Sequence, residues 1–429
     1  MHGSPSVVWR MRPLVVVKTK LLSTNRLCIF VLAAVCGLSL YARTKKTLYI
    51  IIDGVPADMM ERLHTPAIME IASRGAYGRA YTGGEVGTYT ETATISAIGY
   101  TNLLTSTWYC KHNVGGNDNL KPNYNYWTIF RIAAELSRKV CTGLYSSWTD
   151  NRTVLIGEGK EETGQLKIDY VYDGYDLDKV HYPHKDKDLH VFDYDEQISC
   201  DAAESIRRDA PELSWVYLWY TDDAGHIMGN GAYFDDYVRK ADAQVGRIWE
   251  AVKYREKNCD EDWMVVVTTD HGRTESGHGH GGQSWRERTT WISTNVPVNK
   301  HFKDKNLAIT DIAPSLSRYL DFEVPRDVLW EQDGMPFIGK VDICDLKVIP
   351  YDDRVELSWK IYNKKAPLSV YVATNNKFKE GGRDEYIHLA DLSAGTASYE
   401  VNLKGLPSTS FYKFVVVGPN NHLNRWYMK

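Results

Sequence analysis

Three hydrophobic runs constrain this chain more than anything else in it. They are "TLYIIIDGV" (47–55), "SWVYLWYTDDAGH" (214–226) and "DWMVVVTTDHG" (262–272), and each breaks off at acidic residues. A strand that alternates apolar and polar residues keeps one face in water, whereas a strand apolar at every position has both faces covered. Strands of the second kind predict a mostly parallel sheet with helices on either side. In open α/β sheets, ligands bind at the carboxyl ends of the strands. Asp53, Asp222 and Asp270 stand at those ends, which points to a site rather than to three coincidences.

Helical patterns lie between the runs. "PAIMEIASRG" (66–75) ends in a glycine suited to a C-cap. Residues 233–256 keep Tyr237, Ala241, Val245, Ile248 and Val252 on one face. "TDIAPSLSRYL" (310–320) opens with a Thr-Asp cap. The alternation predicts an α/β domain over 43–340. Within it, 108–213 is rich in Tyr, Asp, Lys and Gly and is expected to form a cap or insertion over the site. Beyond 341 come short alternating strands, 354–360, 368–374, 397–403 and 411–418, divided by turn residues. They predict a small β-sandwich of the fibronectin type III kind. Catalytic residue types do not cluster there, so the chemistry is assigned to 43–340.

A net charge of −4 over 429 residues argues against a nucleic-acid partner. The N-terminus carries Lys18, Lys20 and Arg26, then the apolar stretch "LCIFVLAAVCGLSLYA" (27–42), then "RTKK". The stretch is short for a membrane span and fits a secretory signal cleaved near Ala42, with Met11 as an alternative start. Cys36 hints at a lipoprotein signal, which the preceding Val35 fits poorly. Export to the periplasm or the extracellular space is expected, with no stable membrane span after cleavage. The five cysteines outside this segment form no C-x-x-C motif, and at most two disulfides could form.

The run "TTDHGRTESGHGHGG" (268–282) sets an aspartate and three histidines among glycines. Neutral imidazole and carboxylate are preferred zinc ligands. Asp53, Asp222, His226, Asp270, His271 and either His278 or His280 make six candidate ligands, enough for two ions with three protein ligands each. Two such ions, about 4 Å apart, can hold both oxygens of an in-line phosphoryl displacement. For a nucleophile, "ETATISAIGYTNLLTSTW" (91–108) places Thr92, Thr94 and Ser96 just before an apolar helical run. Backbone N–H groups at a helix N-terminus favour an anion there.

These motifs carry a resemblance. From Lys46 to about Ile338 the chain resembles the alkaline phosphatase superfamily, nearest its nucleotide pyrophosphatase/phosphodiesterase branch. The resemblance rests on "IIIDG", "TISAIGYTNLLTSTWYCKHNV", "DDAGH", "TTDHG" and "GHGHGG", with "TDIAPSL" in support. It implies that Asp53, Ser96, Asp270 and His271 hold one zinc, and that Asp222, His226 and His280 hold the other. His280 is preferred to His278 because the late ligand of that family precedes a Gly-Gly pair. Counting back from Thr105-Ser106 and His112-Asn113-Val114 sets the nucleophile at Ser96, with Thr94 as the alternative. Ser106 and Asn113 stand where the family has glycines. Gly99 stands where the branch often has an asparagine that contacts the phosphoryl group.

The implied function is an exported, metal-dependent phosphodiesterase or nucleotide pyrophosphatase-like hydrolase, with two Zn²⁺ and a small-molecule phosphate ester as substrate. A phosphomonoesterase and a phosphoethanolamine-type phosphotransferase are the alternatives. Sulfatases share the scaffold, but their C/S-x-P-S-R context is missing. Cofactor-independent phosphoglycerate mutases share it too, and a signal peptide speaks against them. A secreted binding protein with a decayed site is opposed by the complete set of ligands.

Overall fold

The structure, a computed structural model, describes residues 43–304 and 307–429. The predicted signal segment, 1–42, lies outside the described residues. The strands of the α/β unit are β1 (Thr44–Ile52), β2 (Ala76–Tyr81), β3 (Thr142–Ser146), β4 (Tyr170–Tyr172), β5 (Leu213–Leu218), β6 (Glu261–Thr268) and β7 (Thr289–Thr294). They form one sheet in the order β2-β7-β6-β1-β5-β3-β4. β6, β1, β5, β3 and β4 run parallel, and β7 pairs antiparallel with both β6 and β2.

The three apolar runs are the three central strands, and their alternation explains why no polar residue interrupts them. Leu48, Ile50 and Ile52 enter one core with Val216, Leu218, Val265 and Val267. Tyr49 and Ile51 enter the opposite core with Trp215, Tyr217, Met264 and Val266. Helices Pro66–Arg74, Leu189–Arg208 and Ala232–Asn258 bury their apolar residues in the first core, and Ser96–Thr105 and Ile312–Tyr319 in the second.

Much of the segment expected as a cap belongs to this body. β3 and β4 extend the sheet beyond β5, and the 20-residue helix Leu189–Arg208 packs on Ala232–Asn258. β3 reads "TGLYS" and β4 only "YVY". Both are too short to show a period, and Gly143 weakens the first further.

The sandwich holds β8 (Ile343–Pro350), β9 (Arg354–Ile361), β10 (Leu368–Ala373), β11 (Tyr386–Leu392), β12 (Ser398–Asn402), β13 (Phe411–Val417) and β14 (His422–Met428). Its two sheets are β12-β9-β8 and β11-β10-β13-β14, closed over Val355, Leu357, Val370, Val372, Phe414 and Val416.

The two modules interlock. Phe378 of the sandwich joins the core of the α/β unit, meeting Tyr126 edge-on at 5.3 Å, and Met335 joins the sandwich core. Between them runs a chain of buried charges. Lys111 Nζ, fully buried, donates to Glu331 O at 2.7 Å, Asp333 Oδ1 at 2.6 Å and Asn424 Oδ1 at 2.8 Å. Lys413, equally buried, pairs with Glu331 and with Asp384. The cysteines at 110, 141, 200, 259 and 344 are all free thiols. Among the described residues no helix is long and apolar enough to cross a membrane.

Candidate active site and metal centre

Neighbouring parallel strands bring the three aspartates together. β1 lies between β6 and β5 with Ile51 beside Thr268 and Ile52 beside Leu218, so all three chains leave the sheet at one edge. Asp53 follows β1 directly. Asp222 sits in the first turn of the helix Tyr220–Met228, which places His226 one turn further along the same face. Asp270 and His271 follow β6. Thr94 and Ser96 arrive from the preceding loop, Ser96 as the first residue of the helix Ser96–Thr105.

Two groups of ligand atoms result, Asp53–Asp270–His271 and Asp222–His271–His280, each with its atoms within 4.8 Å of one another. His226 joins the second group, with Nε2 3.0 Å from His280 Nε2 and 3.1 Å from Asp222 Oδ2. In the first, His271 Nε2 lies 3.2 Å from Asp270 Oδ2 and 3.5 Å from Asp53 Oδ1. Ser96 Oγ is 3.1 Å from the same nitrogen.

The histidine tautomers are set by the backbone. His271 Nδ1 donates to Gly272 O at 2.9 Å, His226 Nδ1 to His278 O at 2.8 Å and His280 Nδ1 to Thr94 O at 2.8 Å. With each Nδ1 protonated, each Nε2 lone pair faces the centre, as in metal-ligating histidines. His278 is exposed, its ring lies against Gly229, and its carbonyl accepts the His226 Nδ1–H.

The carboxylates carry the complementary signature. Asp53 Oδ2 accepts from Tyr100 and Tyr217, and Asp270 Oδ1 accepts from Gly54 N–H. Their other oxygens, Asp53 Oδ1 and Asp270 Oδ2, are buried without a hydrogen-bond partner among the described residues. Burial and the neighbouring carboxylates push Asp53 well above the usual range and Asp270 up to about 7. Burial also acts on Asp222, but the His226 hydrogen bond and the Arg273 guanidinium hold it below that range. Burial and the nearby His280 push His271 down. Buried carboxylate oxygens facing bare imidazole nitrogens fit a bound cation, and the donor set of nitrogen and oxygen suits zinc chemistry.

The two hydroxyls differ in their surroundings. Thr94 Oγ1 donates to Gly282 O and accepts from Gly281 N–H, both at 2.9 Å, and so ties down the loop that carries His280. Ser96 Oγ faces His271 at the helix N-terminus.

Family comparison agrees with the motifs. The profile of the type I phosphodiesterase / nucleotide pyrophosphatase family matches residues 47–321, most of the chain. The chain belongs to this family. No curated protein matches it. Solved structures with a related fold include a 2-O GAG sulfatase, at 13% identity and a TM-score of 0.49, covering 85% of this chain and 86% of that one. Murine ectonucleotide pyrophosphatase/phosphodiesterase 5 is 13% identical with a TM-score of 0.45, covering 66% and 96%. Phosphonoacetate hydrolase from Sinorhizobium meliloti 1021 is 15% identical with a TM-score of 0.38, covering 54% and 57%. None is similar enough to carry a substrate across to this chain. As a member of the phosphodiesterase family the protein is a phosphate ester hydrolase, in a family that is typically metal-dependent.

The departures from the family motif acquire reasons. Ser106 and Asn113 adopt left-handed conformations, φ +58° and +65°, which is why glycine suits both positions. At Gly99 an added Cβ would stand 2.8 Å from Asp270 Cβ and 3.0 Å from Asp270 O, so no asparagine fits there. An amide nevertheless reaches the same helix end. Asn117 Oδ1 accepts the Ala97 N–H at 2.9 Å, next to Ser96, and its Nδ2 forms no hydrogen bond among the described residues.

Arg273 is the other residue that sequence reasoning missed. It is fully buried, pairs with Asp222 and donates through Nε to Gly277 O at 2.6 Å. Glycines 54 and 225 make its room, since a Cβ on either would lie within 2.8 Å of the guanidinium. One cation thus fixes Asp222 together with the turn before His278 and His280. Arg273→Met is expected to weaken metal affinity at Asp222–His226–His280 by about 10–100-fold, read by competition with a chelator. Arg273→Lys should recover only part of this, because an ammonium lacks the guanidinium fork.

Proposed function

We propose that the protein is an exported phosphodiesterase that uses two zinc ions and Ser96 as its nucleophile. Asp53, Ser96, Asp270 and His271 would hold one ion and Asp222, His226 and His280 the other. The observation that carries this reading is the pairing of three backbone-fixed imidazoles with the unpartnered oxygens of Asp53 and Asp270. When bound, the ions would supply the charge that lets a hydroxyl ionise near neutral pH and that offsets charge on the phosphoryl oxygens. Residues 1–42 would act as the export signal, 43–340 as the catalytic domain and 341–429 as a structural module packed against it.

The chain's own residues account for the rest. Ser96 Oγ, at the positive end of its helix, gives its proton to solvent and attacks phosphorus in line, while the P–O bond opposite breaks and the departing alkoxide takes a proton from water. Water then cleaves the resulting phosphoserine ester. Asn117 Nδ2 donates to a non-bridging oxygen, the contact that Gly99 cannot make. Thr94 holds the His280 loop rather than attacking, since both its hydrogen bonds are to that loop.

The charge of the site favours a diester. A monoester dianion calls for a further cation, and Arg273 is engaged by Asp222 and the carbonyl of Gly277. Chelation is expected to abolish hydrolysis and Zn²⁺ to restore it, with a nitrophenyl diester turned over faster than a nitrophenyl monoester. Hydrolysis that survives complete metal removal would overturn the metal reading. A preference for the monoester would favour the phosphatase alternative.

A further inference from the structure

A second set of metal-type ligands lies outside the catalytic cluster. His184, Asp188 and His190 present one ligand atom each, all within 4.8 Å of one another. We propose that these three residues form an additional transition-metal site on the turn before the helix Leu189–Arg208, with Zn²⁺ as a fitting occupant.

The local backbone explains the convergence. Lys187 and Asp188 are consecutive non-glycine residues in the left-handed region, at φ +53° and +51°. Such a pair is rare and reverses the chain between the two histidines. The turn is pinned from beneath, where Tyr220 OH donates to Lys187 O at 2.7 Å. As a result the His184 and His190 rings meet edge-on at 5.0 Å, with His184 Nδ1 3.5 Å from Asp188 Oδ1.

The three side chains divide the work of a site open to solvent. His190 is buried and anchored edge-on against Tyr194, while His184 and Asp188 face solvent, through which an ion can enter. The His190 ring receives one hydrogen bond among the described residues, from Lys185 N–H to Nδ1 at 3.4 Å, near the outer limit for such a bond. That contact competes weakly with a metal. Nearby lysines are engaged elsewhere, Lys185 with Asp193 and Lys187 over the Tyr233 ring at 4.8 Å. Two imidazoles and one carboxylate leave a coordination position for water or an external ligand, and nitrogen-rich sets of this kind select zinc over magnesium or calcium.

The test counts metal and does not depend on the catalytic reading. The full chain and the His184→Ala/His190→Ala variant are stripped with a chelator, loaded with Zn²⁺ alone, desalted and weighed for zinc per chain. The native chain is expected to hold one ion more than the variant, whatever number the catalytic cluster retains. Diester turnover of the variant should stay within about twofold of native, since none of the three residues touches the catalytic ligands. Should the double variant fold poorly, Asp188→Asn, at a half-exposed position, is the second probe and should weaken the extra ion by at least tenfold. Equal zinc counts in native and variant chains, or an affinity untouched by Asp188→Asn, would overturn the site.

Discussion

Ser96→Ala is expected to lower diester turnover by on the order of 10⁴-fold or more, leaving a folded protein that still binds its substrate. The size follows from the role: removing a nucleophile that acts together with its activating groups costs nearly the whole catalytic advantage of the set. The fold should survive because, among the described residues, the Ser96 hydroxyl hydrogen-bonds only to His271. Thr94→Val is the control. It removes two hydrogen bonds to the His280 loop, at about 0.5–1.5 kcal/mol each, so thermal stability should fall while turnover persists at a reduced level. Measuring kcat and melting temperature for both variants separates the roles. If Thr94→Val were the silent enzyme and Ser96→Ala the active one, the nucleophile would lie two residues earlier.

The second large effect concerns the sandwich. Sequence places no ligand beyond 341, which invites the expectation that the module can be removed. The interlocked cores and buried charges predict otherwise. A 43–340 fragment would lose Phe378 from its core and expose the apolar surface around Tyr126, and it is expected to be insoluble or molten. A point substitution gives the sharper measurement. Lys413→Met leaves Asp384 buried without its ammonium and Glu331 with only Lys111 at 3.9 Å, and breaking a buried pair typically costs about 3–5 kcal/mol. Against a total stability of roughly 5–15 kcal/mol that is a large loss, visible as a lower midpoint in urea. A 43–340 fragment with a native melting temperature would show the modules to be independent.

These outcomes divide along what the sequence could reveal. The central strands were legible because strands covered on both faces must be apolar at every position, and their ends pointed directly to Asp53, Asp222 and Asp270. Within "TISAIGYTNLLTSTWYCKHNV" the resemblance favours Ser96 and leaves Thr94 as the alternative, and the two hydroxyls differ only once folded: Thr94 is bonded to the His280 loop and Ser96 faces His271. Asn117 and Arg273 were not legible. An asparagine in a Gly-Asn-Asp loop reads as a turn residue, and an arginine among glycines reads as solvated, until folding brings each to its partner. Tyr100 and Tyr217 are core aromatics whose hydroxyls also orient Asp53, a second role that residue type alone does not show. Lys111 and Lys413 show the same limit in reverse. Charge in sequence suggests water, and only the packing of two modules shows these ammonium groups to be dry.

The close approach of Gly99 to Asp270 also bears on descent. Were an ancestor to have carried asparagine at 99, its helix would have stood further from the strand end than this one does. At the present distance a side chain placed at 99 would push directly on Asp270. A mutational path back would have to shift the helix first, through intermediates in which the position of Asp270 is disturbed. Gly99→Asn is therefore expected to displace Asp270 rather than to add a second amide beside Asn117.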